Sequence, residues 1–100
     1  MPAPYAWILT IDHLTKAVGA PGSFAGTYGP RDCPLERDQI ATHPKGRRFR
    51  LLDDDREVYC EGVLVDLDGK CTGFEPQDDY GEGGLGATII QYWENGWKDL

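Results

Sequence analysis

Two short stretches concentrate the carboxylates of this chain. Asp53-Asp54-Asp55 with Glu57 close behind, and Asp78-Asp79 with Glu82, place seven acids at two predicted loops. Clustered carboxylates can hold a divalent cation, support hydrolytic chemistry or present a negative surface to a cationic partner. The run at 53–57 reads as a solvated turn ahead of a cation site, because acid runs usually sit in water. Asp66-Leu67-Asp68-Gly69 looks like the start of a calcium loop. An EF-hand needs an acid or amide at position 5, Gly at 6 and Glu at 12. Counted from Asp66, those places hold Lys70, Cys71 and Gln77, so no calcium loop is expected.

The other reactive side chains are sparse. Cys33, Cys60, Cys71, His13 and His43 are zinc-type ligands, but none of them form the close pairs that structural zinc sites draw on. Asp12-His13 is a formal orienter and base, with Cys33 or Cys71 as nucleophile. No signature connects these groups, and enzymatic activity is not expected. Gly81–Gly86 spells G-x-G-x-x-G. It lacks a leading strand and a following helix, and Asp78, Asp79 and Glu82 would repel phosphate, so it reads as a loop. His43–Arg50 is a basic segment, HPKGRRFR. The acids that follow it, Glu57 and Glu61 among them, favour internal charge pairing over nucleic-acid contact. No cofactor and no structural metal are expected.

Charge is split along the chain. Residues 1–50 carry seven Lys/Arg against four Asp/Glu, and residues 51–100 carry three against thirteen, for a net charge of −7. Such a field steers a positively charged partner and repels nucleic acid. The length of 100 residues fits one domain over 1–100, and 40% hydrophobic content argues for a folded core. Three irregularly spaced cysteines make a poor disulfide framework and read as reduced thiols of a cytoplasmic protein. The apolar run Tyr5–Ile11 lacks the basic flank of a signal peptide, and no stretch approaches the ~20 apolar residues of a membrane span.

The elements that must position these residues are mostly strands. Tyr5–Ile11 is β-branched and aromatic on both faces and reads as a central strand. Arg47–Leu52 alternates, the polar turn Asp53–Arg56 follows, and Glu57–Leu67 returns as a hairpin partner, with a bulge expected at Gly62. Asp68-Gly69 signals a hairpin into a strand over Lys70–Glu75. Ala87–Trp93 is a strand, and Asn95-Gly96 turns it into a terminal strand at Trp97–Leu100. A short strand is expected at Phe24–Tyr28, and short helices over His13–Val18 and Pro34–Ala41. The fold class is therefore mainly β: a small antiparallel sheet, sandwich or partly open barrel with one or two short helices. Phe49, Leu51, Val63, Val65, Ile8 and Ile90 are the expected core. Tyr92 and Trp93 fall on opposite faces, so one of them either lies under a second layer or stands exposed as an interface anchor.

The order Phe49-Arg50-Leu51-Leu52-Asp53-Asp54-Asp55, Tyr59 to Gly62, then Phe74 to Gly81 with its Pro76-Gln77-Asp78-Asp79-Tyr80 centre, covers about the C-terminal half. It resembles a group of small uncharacterised proteins of actinobacteria and their phages. Arg56 stands where that pattern leads to glycine. The resemblance implies a bacterial or mobile-element origin and carries no activity.

The expected function is that of a non-catalytic protein-binding module. Its acidic C-terminal half would dock on a basic protein surface, in the manner of a DNA-mimic inhibitor of the anti-CRISPR or anti-restriction type. The binding residues would be Asp53, Asp54, Asp55, Glu57, Asp78, Asp79, Glu82, Tyr92 and Trp93. The alternative is a small metal- or ligand-binding domain using the same carboxylates with His13. No membrane and no direct nucleic-acid contact are expected. Thiol titration of denatured protein should count three reduced cysteines, and EDTA should leave the Tm unchanged. A chelator-induced loss of several degrees would overturn the metal-free expectation.

Overall fold

The computed structural model describes residues 4–13, 26–80 and 86–100. The protein is mainly β, a single open sheet of six antiparallel strands. They are β1 (Tyr5–Asp12), β2 (Tyr28–Gly29), β3 (Arg47–Leu52), β4 (Val58–Asp66), β5 (Ile89–Trp93) and β6 (Trp97–Asp99). Their order across the sheet is β2-β1-β4-β3-β5-β6. Tyr5–Ile11 is thus an inner strand, as its apolar character on both faces requires. The helix α1 spans Arg37–Ala41. It is shorter than the expected Pro34–Ala41 because Glu36 is the N-cap, in a reciprocal capping box with Gln39. Residues 75–80 form a second short helical segment. Beyond His13, the helix expected over His13–Val18 lies outside the described residues, as do Phe24 and Glu82.

Period-two alternation divides the sheet into two faces. One face carries Trp7, Leu9, Phe49, Leu51, Cys60, Leu64, Ile90 and Tyr92, with Cys71, Tyr80 and Ala87 from the 71–88 segment packed on it. The other face has its buried apolar cluster at β1 and β4. There Ala6, Ile8 and Val65 pack with Ile40 of α1 and with Cys33, Leu35 and Val63. The expected core is buried at Ile8, Phe49, Leu51, Val65 and Ile90, and half-buried at Val63.

Two hairpins fall where the turn residues place them. In the β3–β4 turn the Arg56 amide donates to the Asp53 carbonyl (3.0 Å) and the Asp53 amide to the Glu57 carbonyl (3.1 Å). Arg56 has φ +65°, the left-handed conformation that favours glycine, so the position agrees with the glycine expected there. Asn95 and Gly96, at φ +61° and +139°, close the β5–β6 hairpin. The third hairpin does not form, and residues 70–74 carry no strand. Local carboxylates capture the backbone donors that a ladder would use. Asp66 accepts from the amides of Gly69 (2.8 Å) and Cys71 (3.1 Å). Glu75 accepts from those of Thr72 (3.0 Å) and Gly73 (2.8 Å).

Gly62 sits in mid-β4, between Leu9 of β1 and Phe49 of β3. The irregularity expected at Gly62 has its extra residue across from it, at Thr10 of β1 between Leu9 and Ile11, and β4 carries a second one at Tyr59, opposite the Leu51–Leu52 step of β3. A Cβ at Gly62 would meet the Ile8 carbonyl oxygen and stand 2.7 Å from Phe49 Cζ. Glycine is required because the Ile8 carbonyl of β1 and the Phe49 ring of β3 both close on that position. Gly62→Ala should destabilise the protein by about 1–3 kcal/mol through overpacking. The urea midpoint should fall with an unchanged m-value. An unaltered midpoint would mean that the ring does not lie over this glycine.

Candidate functional site

Among the described residues, the carboxylates singled out from sequence fall into two groups. Asp53 is a structural turn residue. Its Oδ1 accepts from the amides of Asp55 (2.9 Å) and Glu57 (2.9 Å), and its Oδ2 accepts from the Tyr59 hydroxyl (3.3 Å). Asp54 accepts from the Thr88 hydroxyl at 2.5 Å. Asp79 Oδ2 accepts from both the Tyr5 hydroxyl (2.8 Å) and the Trp7 indole (2.9 Å), which ties the 75–80 segment to β1. Asp54, Asp55, Glu57, Asp78 and Asp79 are exposed. The two loops lie toward opposite ends of β4. The 53–57 turn feeds Val58, whereas Asp79 binds Trp7, the register partner of Leu64. At about 3.3 Å per residue, Val58 and Leu64 are roughly 20 Å apart. Charge density along the sequence gave no sign of this separation.

Tyr92 and Trp93 do face opposite ways. Tyr92 is 2% exposed and donates its hydroxyl to the Gly73 carbonyl at 2.7 Å, so it is a core residue and not part of a binding surface. Trp93 is 47% exposed. It stands on the part of the second face that α1 leaves uncovered, because α1 packs on β1 and β4.

That uncovered region is an aromatic and guanidinium surface built by β3, β5 and β6. Pairing places Trp93 opposite Trp97, and the two rings meet edge to face with centroids 5.5 Å apart. Arg48 and Arg50 point to the same face because Phe49 between them points to the other. The Arg48 guanidinium lies 5.5 Å from the Trp93 centroid and 5.4 Å from that of Trp97, and Arg50 lies 4.5 Å from Trp97. Each is within reach of the ring quadrupole. A hydrogen-bonded chain runs beneath them. Arg50 Nε donates to Gln91 Oε1 (2.7 Å), Gln91 Nε2 donates to Asp99 Oδ1 (2.5 Å), and Arg56 closes a two-point pair on Asp99 (2.8 and 3.1 Å). Buried Gln91 therefore has both ends of its carboxamide engaged. On the β4 side Glu61 accepts from Arg48 (3.4 Å) and pairs with His13 (2.7 Å). The internal pairing expected of the basic segment is present at Arg48–Glu61.

Other chemistry has little support in the geometry. Burial, with Glu75 and Asp66 nearby, pushes the Cys71 thiol up to about 12, far from a nucleophilic thiolate at neutral pH. Cys33 donates its thiol to the Leu35 carbonyl (3.0 Å), and Cys60 is fully buried in the core. Among the described residues no three His, Cys, Asp or Glu side chains converge as metal ligands, and no helix is long and apolar enough to cross a membrane. Comparison with protein-family models, curated proteins and solved structures finds no significant match.

Sequence reasoning named Trp93 but missed Arg48, Arg50, Gln91 and Asp99 as its companions. The signal was present in the alternation of Arg48-Phe49-Arg50, which forces both arginines away from the core. Hydrogen bonds from Arg56 and then Gln91 hold the Asp99 carboxyl at about 2, below the roughly 3.9 of an unfolded chain. A depressed native value means stabilisation that is complete above the unfolded value and lost as pH falls toward 2. Wild type should therefore exceed Asp99→Asn in urea midpoint by a constant margin down to about pH 5, and that margin should shrink between about pH 4 and 2. A margin independent of pH over that window would show that the Asp99 charge contributes nothing.

Proposed function

We propose that this chain is a non-catalytic protein-binding module whose docking surface is the open face of β3, β5 and β6. One observation carries the reading. Trp93 stands 47% exposed on a sheet face, braced by Trp97 and by the guanidiniums of Arg48 and Arg50. Trp and Arg are the residue types most enriched among interface hot spots, and a braced indole loses little conformational freedom on binding. Strand elements also hold such groups more rigidly than loops do.

The alternative is an acidic surface docked on a basic partner as a nucleic-acid mimic, as for an inhibitor from a phage or mobile element. It draws support from the exposure of Asp55 and Glu57 at one end of the sheet and Asp78 at the other. Asp53, Asp54 and Asp79 contribute less to it, because internal hydrogen bonds engage their oxygens.

The two readings separate in one experiment. Tagged wild type, Trp93→Ala and an Asp55→Asn/Glu57→Gln/Asp78→Asn variant are used to capture partners from a lysate of the producing cells. Trp93→Ala should weaken the captured interaction by about thirtyfold or more, the effect of losing a hot spot of about 2 kcal/mol. The charge-neutral variant should retain it. Loss confined to the charge-neutral variant would transfer the docking surface to the acidic ends of the sheet.

A further inference from the structure

The open face carries more positive than negative charge, although the chain as a whole is acidic. Arg48, Arg50 and Arg56 face Glu61 and Asp99 there. These partners are shared unevenly. Arg56 and Asp99 satisfy each other through two parallel hydrogen bonds. Glu61 is divided between a long contact from Arg48 (3.4 Å) and a short one with His13 (2.7 Å). Arg50 has no carboxylate at hydrogen-bond distance among the described residues. Its Nε goes to the neutral carboxamide of Gln91, and its Cζ lies 4.5 Å from the Trp97 centroid. Its two Nη groups are left with no partner among the described residues.

Such a guanidinium is prepared for a planar anion. Stacking uses the face of the group and leaves its in-plane N–H edge available. Trp97 and Gln91 already fix the side chain, so less rotamer freedom is lost when a ligand binds. Arg50 is also half-buried, and an arriving anion would compensate its partial desolvation. Exposed Trp93 supplies an apolar surface on the same face.

From this geometry, and resting on the docking reading above, we infer that the face receives an acidic peptide segment, one carboxylate of which binds the Nη edge of Arg50 beside an apolar residue on Trp93. Single-stranded nucleic acid fits less well. The Trp97 ring already carries guanidiniums and meets Trp93 edge-on, so no free pair of stacking platforms is presented.

The test uses nitrogen-15-labelled protein and follows the Arg50 Nε–H and the Trp93 and Trp97 indole N–H resonances. The probes are a short peptide alternating glutamate and leucine, its glutamine isostere, and an oligothymidylate. The glutamate peptide should shift these resonances saturably, and the isostere should bind at least tenfold more weakly. Arg50→Lys keeps the charge but removes the planar fork, and it too should weaken the glutamate peptide about tenfold. Equal binding of the two peptides overturns the inference, as does tighter binding of the oligothymidylate. Shifts produced by raising protein concentration alone overturn it in favour of a second copy of the chain. If neither peptide acts while Trp93→Ala still loses the cellular partner, the acidic-peptide inference fails and the docking face stands. The peptide comparison is made on wild type, so it decides the matter even if Arg50→Lys does not fold.

Discussion

The Phe49 ring lies over Gly62 at the centre of the sheet, and the arrangement of both faces follows from that contact. Phe49 is fully buried, pairs with Gly62 on one side and Tyr92 on the other, and packs its ring against that of Tyr92 with centroids 6.0 Å apart. Strand side chains alternate strictly, so an inward Phe49 sends Arg48 and Arg50 outward. An inward Tyr92 likewise sends Gln91 and Trp93 outward. A slip of one residue would bury two guanidiniums and expose two aromatic rings, a change no neighbouring group could compensate. The same register that closes the core thus assembles the candidate site on the opposite face.

A chain of this length has limited cover for its sheet. Cys71, Tyr80 and Ala87 lie over one face, and α1 packs on β1 and β4 on the other. The strands left open are those whose outward residues are arginine, glutamine and tryptophan. Those side chains stack and hydrogen-bond among themselves, so the open face is ordered without a second layer. Trp93 is the exception, because much of its ring still meets solvent. An exposed aromatic beside the open Nη edge of Arg50 is the feature that makes this region stand out from ordinary surface.

Formal charge proved a poor guide to available charge. Thirteen of the seventeen acids lie in the second half of the chain, which in sequence suggests a negative docking surface. In the fold, Asp53, Asp66 and Glu75 hold backbone amides, Asp79 clamps Tyr5 and Trp7, Asp54 takes Thr88, and Glu61 and Asp99 pair with arginines. Much of the acidity is therefore turn chemistry and strand pairing. Asp66 and Glu75 also account for the one expected strand that is absent, since their carboxylates hold the donors between residues 69 and 73.

By itself the sequence determined the antiparallel β class, the β3–β4 and β5–β6 hairpins, most of the core and the opposition of Tyr92 and Trp93. All of these follow from local turn chemistry and from side-chain alternation, which a strand carries wherever it is placed. Tertiary structure alone decided which face of each strand would be covered. It also placed the two acidic loops at opposite ends of β4 and made companions of Trp93, Arg50, Gln91 and Asp99. Those relations depend on the strand order β4-β3-β5-β6 and on where α1 stops. They join residues far apart in the chain, and no local pattern encodes a neighbour across a sheet.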